Sequence, residues 1–203
     1  MGTVTLGVAL PVPEPHGSTL RRCRIDFGDD AAHHIPTHVT LLPPTAVDAD
    51  RLPEIRTHLE GVASAFRPFV LRLSGTGTFR PLSPVVFVTL AEGAPACGRL
   101  QERVRDPRGP LVRELAFPYH PHVTVAHGIS EAAMDRAHAE LSGFEAAWLC
   151  TGLSLYEQGL DGVWRKLTEY PFGSGPIGSG AGARVLPAQQ TGSPVDEAVT
   201  PRS

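Results

Sequence analysis

Cysteine is scarce: three residues, Cys23, Cys97 and Cys150, lie scattered over 203 positions with no CxxC spacing. An odd, dispersed set offers no disulfide framework and no cysteine metal knuckle, so reduced thiols in a cytoplasmic protein are expected. No stretch approaches the roughly 18 apolar residues that cross a bilayer, so no membrane association is expected. The N-terminus lacks the basic and apolar blocks of a secretory leader. An excess of one charge is lacking too: 18 Lys and Arg stand against 21 Asp and Glu, a formal net charge of −3. That balance argues against an extended nucleic-acid surface, because such binding depends on neutralising phosphates. A short or small phosphate ligand in a local pocket stays open. What is present is an ordinary globular composition, 41% hydrophobic and 19% charged, in a chain long enough for a bilobal core.

One tripeptide occurs twice. His38-Val39-Thr40 and His122-Val123-Thr124 each follow a proline closely and run into an apolar segment. Side chains alternate along a strand, so His and Thr at i and i+2 share one face and Val takes the other. Each copy therefore presents an imidazole beside a hydroxyl.

The surroundings of the two copies match. Residues 3–10 alternate as a strand with Val4, Leu6, Val8 and Leu10 on one face. A helix follows, with Ser18 as its cap, Gly28 as its end and Arg21, Arg22 and Arg24 on a solvated side. The first His-Val-Thr strand, 35–42, is expected to stop at Pro43-Pro44. Leu52, Ile55, Leu59, Val62 and Phe66 mark an amphipathic helix over 50–66 with Asp50 as its cap. A strand at 69–73 completes this first set. The order then restarts: a strand at 85–90, a helix carrying Cys97, Leu100 and Val104, and the second His-Val-Thr strand at 120–126. A Ser130-capped helix with Met134, Ala137 and Leu141 inward and a strand at 146–156 follow. A last strand at 163–170 closes the fold. The two histidines stand 84 residues apart, which implies an internal duplication of about 80 residues. The expected fold is α+β over 1–172: two antiparallel-type sheets with outer helices about a pseudo-two-fold axis. The two tripeptides would line a central cleft. From 173 to 203 the composition turns to Gly, Ser, Ala and Pro without periodicity, and a disordered tail is expected.

An imidazole titrates near 6.5, so one can act as base while another acts as acid. Two of them flanking a phosphorus centre could divide those tasks, with Thr40 and Thr124 donating to the non-bridging oxygens. No cofactor enters this scheme, and neither tripeptide is surrounded by carboxylates at metal-ligand spacing. Phe79, Tyr119 and Tyr156 are candidates to stack on a base. Trp148 is expected in the core.

Two His-x-Thr tripeptides about 80 residues apart, each entering an apolar strand, resemble the two-histidine (2H) phosphoesterase superfamily, above all its 2′-5′ RNA ligase-like branch. The resemblance covers roughly residues 3–170 and includes Phe79-Arg80-Pro81 ahead of the strand at 85–90. It implies a metal-free enzyme of 2′,3′-cyclic phosphates or 2′-5′ linkages, with catalytic roles on His38, Thr40, His122 and Thr124. The implied partner is a small nucleotide or RNA-end phosphate, met by a monomer. Where that family often carries an arginine after the second tripeptide, this chain has Ala126-His127-Gly128. Two other readings of the residues remain: a nucleotide- or phosphate-binding module without turnover, and a metal hydrolase built on His120, His122 and His127.

Overall fold

The computed structural model describes residues 2–174. The tail expected over 173–203 lies outside the described residues from 175 onward. In chain order the elements are β1 (Thr3–Pro11), α1 (His16–Asp26), β2 (His38–Asp48), α2 (Leu52–Ser64), β3 (Phe69–Thr78) and β4 (Val85–Glu92). They continue with α3 (Ala94–Val104), β5 (His122–His127), α4 (Glu131–Glu140), β6 (Glu145–Cys150), β7 (Gly152–Gln158) and β8 (Trp164–Pro171). The expected alternation of strands and helices is present, and the class is mixed α+β.

The strands form two four-stranded sheets, ordered β2-β1-β7-β8 and β5-β4-β3-β6, with antiparallel neighbours throughout. Read in that order, the sheets match position by position, and each tripeptide strand is the edge of its sheet. Sheet membership does not follow the repeat in sequence. β3, the last strand of the first unit, joins the sheet of β4 and β5. β7 and β8 return to pair with β1 and β2. The helices also cross over: α1 packs on β5, and α3 packs on β2. Each unit's first helix thus covers the other unit's tripeptide strand. A continuous core joins both sheets to Ile55 and Leu59 of α2, Leu100 and Val104 of α3, and Met134 and Ala137 of α4.

Several local expectations are corrected. Pro43 and Pro44 do not end β2, which continues to Asp48. An edge strand tolerates proline because its outer N–H positions need no partner, and the register shifts where the two prolines pass. The strand expected over 146–156 is two strands. The chain leaves one sheet at Cys150 and enters the other at Gly152, where a side chain would meet the Tyr170 carbonyl oxygen at 2.5 Å. Ser18 does not cap α1. The helix already begins at His16, and Ser18 donates its N–H to Glu14 at 3.2 Å. Asp50 lies within a 3-10 turn before α2 instead of capping it. Ser130 does cap α4, its hydroxyl accepting from the Ala133 N–H at 3.3 Å. Trp148 packs against the core but stays partly exposed.

Candidate active site

β2 packs against β5, so the two tripeptides meet across the junction of the sheets. Each is followed by a bulge at the same place. Val8 pairs with Leu42 and Ala9 with Thr40, which leaves Leu41 as the extra residue on β2. Val86 pairs with Ala126 and Phe87 with Thr124, which leaves Val125 as the extra residue on β5. The burial order is identical: His and Thr half-buried, the Val between them buried, then two consecutive buried residues. A bulge reverses the alternation of a strand. Here it keeps Leu41 and Leu42, or Val125 and Ala126, in the core while His and Thr face the cleft.

Both imidazoles are fixed the same way. His38 Nδ1 lies 2.6 Å from the Pro36 carbonyl oxygen, and His122 Nδ1 lies 2.7 Å from that of His120. A carbonyl only accepts, so Nδ1 carries the proton and donates. In the neutral ring Nε2 is then the free base. His38 Nε2 lies 3.1 Å from Thr40 Oγ1 and accepts its hydrogen bond. Burial holds the His38 imidazole below its usual pKa, against the pull of the Pro36 carbonyl, and the Arg24 charge lowers it further. Burial also lowers His122, opposed by the His120 carbonyl and assisted by the charges of His120 and His38.

The two halves then part. On the His38 side a cavity of about 260 Å³ opens, lined by Gly7, Ala9, Pro36, Tyr156 and Trp164 among others, with His38 and Thr40 on its wall. On the His122 side the position matching Ala9 is Phe87. Phe79 and Phe87 lie 4.9 and 5.2 Å from the His122 ring, centre to centre, and 4.5 Å from each other. A wider cavity of about 650 Å³ lies beside this aromatic wall, lined by Thr40, Phe79, Arg113, Tyr119 and His122 among others. Thr40 lines both cavities.

The junction is tied at two points. Tyr119 donates its hydroxyl to the Thr40 carbonyl at 2.8 Å, and burial raises its phenol. Asp29 accepts from Arg24 Nε at 2.7 Å and from the His127 N–H at 2.9 Å, linking α1 to the end of β5. Arg24 is 7% exposed and Asp29 3%, so the solvated reading of Arg24 is corrected. Arg24 points inward because Asp29 offers it a counter-charge in the turn that follows α1.

The sequence candidates fall as follows. His38 and Thr40 line one cavity, Thr40 and His122 line the other, and Thr124 is half-buried two residues beyond His122 on β5. Phe79 and Tyr119 line the His122 cavity, whereas Tyr156 lines the His38 cavity. His120, His122 and His127 do not gather. His127 is exposed and lines the His38 cavity, and among the described residues no group of three or more His, Cys, Asp or Glu could hold a metal ion. Sequence reasoning missed Asp29, which no local pattern singles out, and Arg113. The latter donates to Thr45 Oγ1 at 2.9 Å and to the Pro44 carbonyl.

A family model described as the 2′-5′ RNA ligase superfamily matches residues 11–162. The chain belongs to this superfamily. The matched region contains both tripeptides and both of these ties. Relatives of the chain include a protein of Bacillus cereus (strain AH820) and one of Bacillus thuringiensis (strain Al Hakam), each named "Putative phosphoesterase". Each is 29% identical to this chain over 109 residues, covering 54% of this chain and 59% of the relative. The match thus spans less than two thirds of those relatives' length. Among solved structures, Escherichia coli LigT complexed with 3′-AMP aligns with a TM-score of 0.58 and 21% identity, over 84% of this chain and 99% of LigT. TT0787 of Thermus thermophilus aligns with a TM-score of 0.59 and 23% identity, over 83% and 97%. Both have the fold described above.

Proposed function

We propose that the protein is a phosphoesterase of 2′,3′-cyclic phosphate or 2′-5′ phosphodiester bonds, working without a metal through two imidazoles. The observation that carries this reading is the matched orientation of His38 and His122. Each donates Nδ1–H to a backbone carbonyl two residues earlier, which leaves Nε2 as its working nitrogen. Relatives carry the name phosphoesterase, and LigT has been solved with 3′-AMP, ATP, NADP+ and phosphate. Small nucleotides and RNA-end phosphates are accordingly the substrates proposed here.

In hydrolysis, His122 Nε2 takes a proton from water as its oxygen attacks phosphorus. The bond from phosphorus to the ribose oxygen breaks, and His38 Nε2–H protonates that leaving oxygen. The hydrogen bond between His38 and Thr40 favours this order of roles. When His38 is neutral, the Thr40 hydroxyl spends its proton on Nε2. When His38 is protonated, Nε2–H turns to the leaving oxygen, and the Thr40 hydroxyl, released from Nε2, is free to donate to a phosphate oxygen. The acid form of His38 and the donor form of Thr40 are then one state. General acid–base catalysis contributes roughly 10²- to 10⁴-fold per group.

The test is a panel of 2′,3′-cyclic nucleotides and 2′-5′-linked dinucleotides, with products identified, in buffer containing EDTA. Turnover to a single phosphomonoester isomer is expected. Tight binding with no product anywhere on the panel would instead make the chain a binding module, and loss of turnover in EDTA would make the chemistry metal-dependent.

A further inference from the structure

The described residues end beside a groove that shares no lining residue with either cavity at the tripeptides. Gly173 donates its N–H to the Phe66 carbonyl at 2.9 Å, and the Phe172 ring lies 5.8 Å from Phe69 and 6.2 Å from Phe66, centre to centre. Arg67 Nη1 stands 3.4 Å from where a Gly173 side chain would begin. Phe66, Arg67 and Phe69 are themselves lining residues of the groove, which holds about 1090 Å³ between α2 and α3. The backbone that leads to residue 175 is therefore anchored at the groove.

The lining mixes apolar and cationic groups. Val62 and Phe66 are half-buried there, and Val70 is 42% exposed. Arg99 and Arg103 lie one turn apart on α3 and share a face, and Arg67 comes from the link between α2 and β3. Among the described residues none of these three arginines has an ion-pair partner. The lining carboxylates do not balance them. Glu92 is held by Arg72 at 3.9 Å and Asp106 by Arg108 at 3.3 Å, both from outside the lining, which leaves Glu102. Apolar surface interspersed with unpaired cations fits a peptide whose carboxylates lie between apolar residues.

The chain carries such a peptide. Over 175–203 the acidic residues are Asp196 and Glu197, set within Val195-Asp196-Glu197-Ala198-Val199. Residues 175–194 connect this segment to the anchored backbone. A Gly- and Ser-rich connection of that length spans about 25 Å on average, whereas an 11-residue helix such as α3 is about 16 Å long. The segment can therefore reach any point along α3.

We propose that the groove between α2 and α3 is the docking site of the chain's own residues 195–199. Asp196 and Glu197 pair with the arginines, and Val195 and Val199 cover the apolar lining. Tethering supplies an effective concentration of about 1 mM, so a segment affinity of about 0.1 mM gives about tenfold more docked than undocked chain. This inference does not depend on the phosphoesterase reading.

The experiment measures cleavage of the Glu197–Ala198 bond by a glutamate-specific protease, with the released 198–203 fragment followed by mass spectrometry. The full chain is compared with a synthetic peptide of residues 190–203, which has the same bond and no groove. Cleavage in the chain is expected to be about tenfold slower than in the peptide. In the full-chain variant Arg99→Glu/Arg103→Glu it should rise to near the peptide rate. Arg67→Glu, on another element, should act in the same direction, and Arg51→Glu, outside the lining, should keep the wild-type protection. Circular dichroism checks that each variant is folded. Equal rates in chain and peptide, or protection that survives both Arg99→Glu/Arg103→Glu and Arg67→Glu, overturns the proposal. Protection that grows with protein concentration would place the segment in the groove of a second copy and overturn docking within one chain.

Discussion

Asp29 Oδ2 accepts from the His127 N–H at 2.9 Å and from Arg24 Nε at 2.7 Å, so one nearly dry carboxylate oxygen joins the end of β5 to the helix covering it. β5 carries His122 and Thr124, and the Arg24 charge reaches His38. A single ion pair therefore bears on both halves of the site.

Asp29→Ala leaves the Arg24 guanidinium buried without its counter-ion. Removing one partner of a buried pair costs about 3–5 kcal/mol. Chemical denaturation should show a loss of that order, and a loss within error of zero would mean that water replaces the carboxylate.

The pH profile follows from the directions of the two histidine shifts. Both imidazoles are held below the usual value of about 6.5, so both are neutral in most molecules at pH 7. The proposed reaction needs one charged and one neutral. As pH falls, the first protonation creates the active form and the second removes it. The maximum of kcat/KM is therefore expected on the acid side of about 6.5. In Asp29→Asn the Arg24 charge loses its counter-charge near His38, and the maximum should move further towards acid. A maximum on the alkaline side in the wild type contradicts this account.

The two threonines should separate by their pH behaviour. A hydrogen bond to a charged group is worth about 1.5–3 kcal/mol, so Thr40→Val and Thr124→Val should each lower kcat/KM by roughly ten- to 150-fold. Thr40→Val also deprives His38 Nε2 of its partner and should displace one limb of the pH profile. Thr124→Val should lower the rate with the limbs in place, because among the described residues no hydrogen bond joins it to His122. Equal displacement in both variants would remove the distinction between the halves.

Tyr119→Phe removes the hydroxyl that donates to the Thr40 carbonyl. An acceptor left unsatisfied costs about 1–3 kcal/mol, and a stability loss in that range is expected from thermal or urea unfolding. An unchanged midpoint would mean that this tie to β2 does not act on stability.

The tripeptides and their matching neighbourhoods were legible because strand alternation and helical periodicity are local patterns. The stripe on α2 and the Ser130 cap are of the same kind. The strand swap was not legible, because whether β3 pairs with β1 or with β4 depends on packing among distant residues. The Thr151-Gly152 step hinted at the break between β6 and β7, but only the approach of Tyr170 explains it. The bulges left a trace that alternation alone would have caught: Leu41-Leu42 and Val125-Ala126 are consecutive apolar pairs where a strand facing a cleft should alternate. Arg24 was misread because three arginines close together on one helix look solvated, and nothing near them marks Asp29 as a buried counter-ion. The cavity beside His38 sits where Ala9 of β1 takes the place that Phe87 takes on β4, a correspondence set by strand pairing and not by any local pattern.

The central claim is that His38 and His122 are an acid–base pair acting on one phosphorus. Its most direct test is single-turnover hydrolysis of adenosine 2′,3′-cyclic phosphate by the wild type, His38→Ala, His122→Ala and the double variant, all in EDTA and with folding checked by circular dichroism. Each single variant should lose roughly 10²- to 10⁴-fold, and the double variant should lose much less than the product of the two, because neither group works without the other. Wild-type turnover in the double variant would contradict the account.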